Sequence, residues 1–107
     1  MRTDKILTYV GLAAAKRSTI PGADLVIREI RKQKGSICVV LASDASERTK
    51  KQITDKCTYY NIPLIRLDCD MEELGKRVGK SSPTACAAVC DRGLTAQIIK
   101  YSTDELQ

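Results

Sequence analysis

The residues best placed to do chemistry lie in Pro21-Gly22-Ala23-Asp24-Leu25-Val26-Ile27-Arg28-Glu29-Ile30-Arg31-Lys32-Gln33-Lys34. Pro-Gly marks a turn, and a glycine, having no Cβ, lets another backbone come close. The residues after Gly22 read as a helix, with Val26 and Ile30 on one face and Arg28, Arg31 and Lys32 projecting from the rest. A helix beginning just after Gly22 turns its unpaired N–H groups and the positive end of its dipole outward, with Arg28 one turn behind them. That is an anion site, and a phosphate backbone is the obvious anion. The same charges equally suit a solvated surface helix, so charge alone leaves both readings open.

A second basic segment, Gly75-Lys76-Arg77-Val78-Gly79-Lys80-Ser81, invites comparison with a nucleotide-binding P-loop. The P-loop needs four residues between its first glycine and the Gly-Lys pair, and it joins a strand to a following helix. Here the spacing is one residue short, and the segment ends a helix and leads to a strand. The loop Gly79-Lys80-Ser81-Ser82-Pro83 reads instead as backbone that approaches a ligand alongside Lys76, Arg77 and Lys80, or as a plain helix-to-strand connection.

No catalytic constellation assembles. The chain has no histidine, so no side chain has an unperturbed pKa near neutrality. Ser43, Asp44 and Ser46 cluster at a helix start, but capping accounts for Asp44 and Ser46. Glu72 and Glu73 are sequence neighbours and point in different directions from a helix, and a cysteine nucleophile would lack a base. The cysteines are Cys38, Cys57, Cys69, Cys86 and Cys90, odd in number and without a Cys-x-x-Cys pair. Cys86 and Cys90 share one strand face, yet two thiolates do not close a zinc site. Buried free thiols in a reducing compartment are expected, with neither metal nor cofactor.

Composition points the same way. At 107 residues the chain is one small domain with room for a core, and its net charge of +5 favours a polyanionic partner. Aromatics are limited to four tyrosines, which is poor supply for a base-stacking platform. Met1 to Leu7 carries Arg2, Asp4 and Lys5 and has no signal-like apolar region, and no run is long enough to span a bilayer, so a cytoplasmic protein without membrane contact is expected.

These side chains must be positioned by short elements. Thr3 and Asp4 can cap a first helix to about Lys16 that buries Ile6, Leu7, Val10 and Leu12, and a very short strand fits Thr19-Ile20. The Gly22 helix stops at Gly35. Ser36 to Ala42 is continuously apolar and should be the centre of the sheet. Asp44 with Glu47 supplies a capping box for a third helix to Tyr60, lined inside by Ile53, Cys57 and Tyr60, with Arg48, Lys50, Lys51 and Lys56 facing water. Ile62 to Leu67 is a second strand, with Pro63 near its start or at an edge. Asp70 and Glu73 cap a helix from Met71 to Val78, Thr84 to Cys90 is a further strand, and Gly93 to Tyr101 closes the fold with Leu94, Ile98 and Tyr101 inward. Only Ser102 to Gln107 reads as a loose tail. Helices alternating with short buried strands define an α/β layered domain.

At Gly22 through Arg28, and from the central strand into Ala42-Ser43-Asp44-Ala45-Ser46, the chain resembles the kink-turn RNA-binding ribosomal-protein family of L-seven-Ae and L-thirty-e type. It is most similar to the bacterial YlxQ-like branch, through Gly11-Leu12-Ala13, Gly22-Ala23-Asp24-Leu25-Val26, Thr54-Asp55-Lys56-Cys57-x-Tyr59-Tyr60, Pro63, Leu74-Gly75-Lys76 and Val78-Gly79-Lys80. The resemblance spans about residues 6 to 100. It implies a three-layer α-β-α sandwich around a small four-stranded mixed sheet and a non-enzymatic protein that binds structured RNA, kink-turn-like or ribosomal. By the same resemblance, Gly22, Ala23, Asp24, Leu25 and Arg28 would enter bent RNA, and Val78, Gly79, Lys80, Ser81, Ser82 and Pro83 would cover an extruded nucleotide. Lys16, Arg17, Arg31, Lys32 and Lys76 would add phosphate contacts. Asp24 stands where strong RNA binders place asparagine, and Leu25 where they place glutamate. Aspartate keeps an acceptor but loses the donor and brings negative charge toward phosphate, and leucine gives up a carboxylate that accepts from guanine. An adaptor that keeps the fold and binds a protein through Leu25 is therefore the alternative. A monomer is expected, and no DNA partner.

Overall fold

The structure, a computed structural model, describes residues 2–32 and 37–104. Among these residues five helices and four strands alternate: α1 (Arg2–Ala15), β1 (Thr19–Pro21), α2 (Ala23–Lys32), β2 (Cys38–Leu41), α3 (Glu47–Tyr60), β3 (Leu64–Arg66), α4 (Met71–Arg77), β4 (Cys86–Val89) and α5 (Arg92–Asp104). The sheet order is β1-β4-β2-β3, with β2 parallel to β3 and antiparallel to β4, and β4 antiparallel to β1. The sheet is therefore mixed, as the sequence led us to expect.

Strand residues alternate between two cores, because successive side chains leave opposite faces of the sheet. Cys38, Val40, Ile65, Ala87 and Val89 pack with Ile6, Leu7, Val10, Leu74 and Ile98 of α1, α4 and α5. Val39, Leu41, Cys86 and Ala88 pack with Val26 and Ile30 of α2 and Ile53 and Cys57 of α3. The inner strands β2 and β4 are buried at every position, which accounts for their unbroken apolar sequence. The expected α-β-α sandwich is the observed one.

Four local details differ from the sequence reading. Leu12 is 49% exposed, because the buried stripe of α1 runs through Ile6, Val10 and Ala13 and a one-residue step from Ala13 turns Leu12 about 100° away from it. Thr3 and Asp4 lie inside α1 and do not cap it. Asp44 does not cap α3 either. Ser46 does, its Oγ accepting from the Thr49 N–H at 3.1 Å, while Asp44 Oδ1 accepts from the Met71 N–H at 2.8 Å and so ties the β2–α3 loop to the start of α4. Finally, α5 begins one residue early, with Asp91 Oδ1 accepting from the Leu94 N–H at 2.8 Å, and continues through Asp104, so Ser102 is helical. The stop at Gly35 and the last three residues of the tail lie outside the described residues.

Candidate nucleic-acid interface

Gly22 adopts φ +96°, a conformation that side-chain-bearing residues rarely take, and an added Cβ there would meet nothing within 4 Å. The glycine is needed for its backbone angle, and the space above it is open. Its N–H donates to Cys86 O at 2.9 Å and its carbonyl accepts from the Val26 N–H at 2.9 Å, so Gly22 fixes where α2 starts. The N–H groups of Ala23, Asp24 and Leu25 find no acceptor among the described residues. Three donors thus point out of the positive end of a ten-residue helix. Asp24 and Leu25 are exposed beside them, Leu25 by 46%. Asp24, Ile27, Arg28 and Arg31 line a groove of about 370 Å³ on the outer side of α2. Neither Arg28 nor Arg31 makes a salt bridge to another described residue.

The basic loop is built from glycine geometry as well. Val78 is buried and closes α4, and Gly79 follows at φ +78°. The Lys80 N–H donates to Gly75 O at 2.8 Å. A Cβ on Gly75 would lie 2.3 Å from Ser82 O, so the loop lies directly on the α4 backbone. Lys76, Lys80, Ser81, Ser82 and Pro83 rim a groove of about 280 Å³ together with Glu72, which pairs with Lys76 at 3.6 Å. Gly75, whose segment resembles a phosphate loop one residue short, is a packing residue.

Strand register brings the two parts together. Pro21 pairs with Ala87 and Gly22 bonds to Cys86, so the chain entering β4 from Pro83 emerges beside the start of α2. The Ala42 N–H donates to Ala85 O at 2.8 Å, which adds the β2–α3 loop to the same end of the sheet. Three expected residues lie elsewhere. Ser18 O accepts from the Cys90 N–H and Lys16 pairs with Asp91, so Lys16 and Arg17 sit at the opposite end of β1, roughly 10 Å away along the strand. Lys32 ends α2, about 14 Å from its first residue, and pairs with Glu29 at 3.3 Å.

The fold is thus an α-β-α sandwich with the α2 start, the 78–83 loop and the β2–α3 loop gathered at one end of the sheet, flanked by Arg28 and Arg31 of α2 and Lys76 of α4. The chain belongs to the Ribosomal protein L7Ae/L30e/S12e/Gadd45 family, which it matches over residues 4–99. It is 39% identical to the RNA-binding protein YlxQ of Bacillus subtilis (strain 168) over 84% of this chain and 87% of that one. It is 37% identical to the RNA-binding protein YlxQ of Enterococcus faecium, over 83% of this chain and 82% of the relative. A Bacillus halodurans protein of unknown function superimposes with TM-score 0.82 at 30% identity, covering 92% of this chain and 97% of its own. A Giardia lamblia 15.5kD RNA binding protein shares the fold at the same TM-score of 0.82 and 18% identity, over 96% of this chain and 88% of its own. The family and fold expected from the sequence are thereby confirmed.

Two further cations lie at the same sheet end, Arg66, which the sequence reading passes over, and Lys50, which it places facing water. Lys50 of α3 and Arg66 of β3 line a separate cleft with Leu41, Ala42, Ser43 and Leu67. An arginine inside the otherwise apolar run Ile62 to Leu67 was the available signal.

Proposed function

We propose that this protein is a non-catalytic RNA-binding protein that docks bent or internally looped RNA, ribosomal or otherwise structured, onto the start of α2 and the loop 78–83. The observation that carries the reading is the set of unpaired N–H groups of Ala23, Asp24 and Leu25 above a glycine start, with Arg28 one turn behind. Phosphate bound there gains charge-assisted hydrogen bonds and the helix dipole, and Arg28 adds a bidentate cation. Lys76 and Lys80 position the second strand, while Asp24 and the open backbone at Gly22 meet base edges. The relatives named as RNA-binding proteins support the same reading. The protein acts as a monomer in the cytoplasm. Its five free thiols suit that compartment, and among the described residues no helix is long and apolar enough to cross a membrane.

The test is binding to a short RNA with a standard kink-turn, beside a fully paired duplex of equal length, at several salt concentrations. Tighter binding to the kinked RNA, weakened at least about tenfold by Arg28→Glu, is expected. Unchanged affinity in Arg28→Glu would falsify the docking mode. The exposure of Leu25, 46% beside a glycine turn, favours one second reading, an adaptor for a protein partner. That reading predicts no binding to either RNA.

A further inference from the structure

We infer that the cleft between the first turns of α3 and the end of β3 is a further phosphate-binding site, which extends the RNA footprint across the sheet end to its β3 edge. The inference rests on the RNA-binding reading above. The cleft holds about 240 Å³ over a floor of Leu41, Ala42 and Leu67, and its polar lining is Ser43, Lys50 and Arg66, with no carboxylate among the described residues that line it. By contrast, a cavity of about 460 Å³ sets the carboxylates of Asp4, Asp68, Asp70, Glu72 and Glu73 against the two cations Lys76 and Arg77, a net acidic lining that disfavours phosphate. The two cations stand ready in different ways. Arg66 donates through Nη2 to Thr54 Oγ1 at 3.3 Å, which holds the guanidinium against α3, and it makes no salt bridge with a described residue. A guanidinium has five N–H donors in a fixed fork, so most remain for a planar or tetrahedral oxyanion. Lys50 has one carboxylate partner among the described residues, Glu47, at 3.4 Å, on a side chain that is 92% exposed. A pair so open to water gives way readily to a phosphate.

Placement ties the cleft to the interface. Apart from Lys50 in the first turn of α3, its residues lie at or just after the carboxyl ends of the parallel strands β2 and β3, and Leu41 is paired with Cys86, the residue whose carbonyl holds Gly22. The cleft and α2 therefore open at the same end and over the same face of the sheet, since α2 and α3 share one core. With order β1-β4-β2-β3, they are separated by three strand spacings, roughly 14 Å. A backbone anchored at the α2 start reaches the cleft within a few nucleotides.

The experiment measures affinity for the kinked RNA against salt concentration for the wild type, for Lys50→Ala/Arg66→Ala, and for Lys51→Ala/Lys100→Ala, which removes the same charge from other exposed positions. Circular dichroism melts accompany each. The cleft variant should lose at least about tenfold in affinity at low salt, and its salt slope should fall by about one per phosphate contact. The control variant should match the wild type, and Lys50→Arg/Arg66→Lys should retain most of the affinity. A cleft variant that melts like the wild type and keeps its slope overturns the site, as does a control that loses as much. A cleft variant that melts early is replaced by Arg66→Gln alone, for which the same slope comparison decides. If the wild type binds no RNA, the proposed function itself fails, a result distinct from a wild type that binds while the cleft variant equals it.

Discussion

Arg17 holds φ at +59°, the left-handed region, where the chain leaves α1 and the N–H groups of Arg17 and Ser18 close back on Ala14 and Ala13. A non-glycine residue there carries backbone strain that glycine avoids. Arg17→Gly should therefore stabilise the fold by about 0.5–1 kcal/mol in urea titrations. Because Arg17 lies at the sheet end away from Gly22, the same substitution should cost less RNA affinity than Arg28→Ala. Lys16 is committed to Asp91, whose carboxyl is held below the usual range first by the Lys16 hydrogen bond and then by the Leu94 N–H. At position 24 the expectation runs in two directions. Asp24→Asn removes a negative charge that complements the helix dipole and restores a donor, so melting temperature should fall slightly while RNA affinity rises severalfold. A drop in affinity would mean that the aspartate itself accepts from the bound bases.

Between residues, the loops are held by a few specific contacts. Gly75→Ala places a Cβ against Ser82 O and must displace the 79–83 loop or bend α4, so a loss of about 1–3 kcal/mol is expected in chemical denaturation, together with weaker RNA binding. Unchanged stability would show that the loop gives way freely. Asp44→Ala leaves the Met71 N–H without its acceptor, while Ser43 still holds the β2–α3 loop to Cys69 O, just before α4, through its N–H at 2.8 Å and its Oγ at 2.9 Å. At the level of elements the sequence was largely legible, because caps and periodicity are local. The cap at Asp70, whose Oδ1 accepts from the Glu73 N–H, and the turn at Gly22 follow from neighbours a few residues away. Asp44 was misread because Asp44-x-x-Glu47 and Ser46-x-x-Thr49 both have capping spacing, and only the distant contact with Met71 decides between them. Proximity in sequence is likewise not proximity in space at Lys16 and Arg17. They precede Gly22 by a few residues, but an extended strand carries them to the far end of the sheet. Arg66 shows the converse, since an arginine in an apolar run stands out in the sequence but its companions Lys50 and Leu41 come from other elements of the chain.

Across the whole molecule, the two cores enclose thiols that resist ionisation. Burial pushes Cys38 and Cys86 up to about 12 and is the main cause that pushes Cys57 and Cys69 up to about 11, from an ordinary 9.0. The unfolded chain releases these protons near pH 9 while the folded chain keeps them. Their contribution to stability is thus complete below about pH 9 and is lost as pH rises toward 11–12. Thermal melts should decline steeply above about pH 9, and Cys57→Ala should flatten part of that decline. An equal slope in the variant would assign the loss to other groups. The sheet has a further consequence at its margins. A four-stranded open sheet leaves one row of backbone donors and acceptors on each outer strand, which a second chain could extend into a fibril. Here both outer strands are only three residues long, β1 ends in Pro21, and β3 follows Pro63. Proline offers no N–H to an incoming strand, and three residues give too short a ladder to hold one. Even at high concentration, neighbouring molecules therefore find no long edge on which to join sheet to sheet.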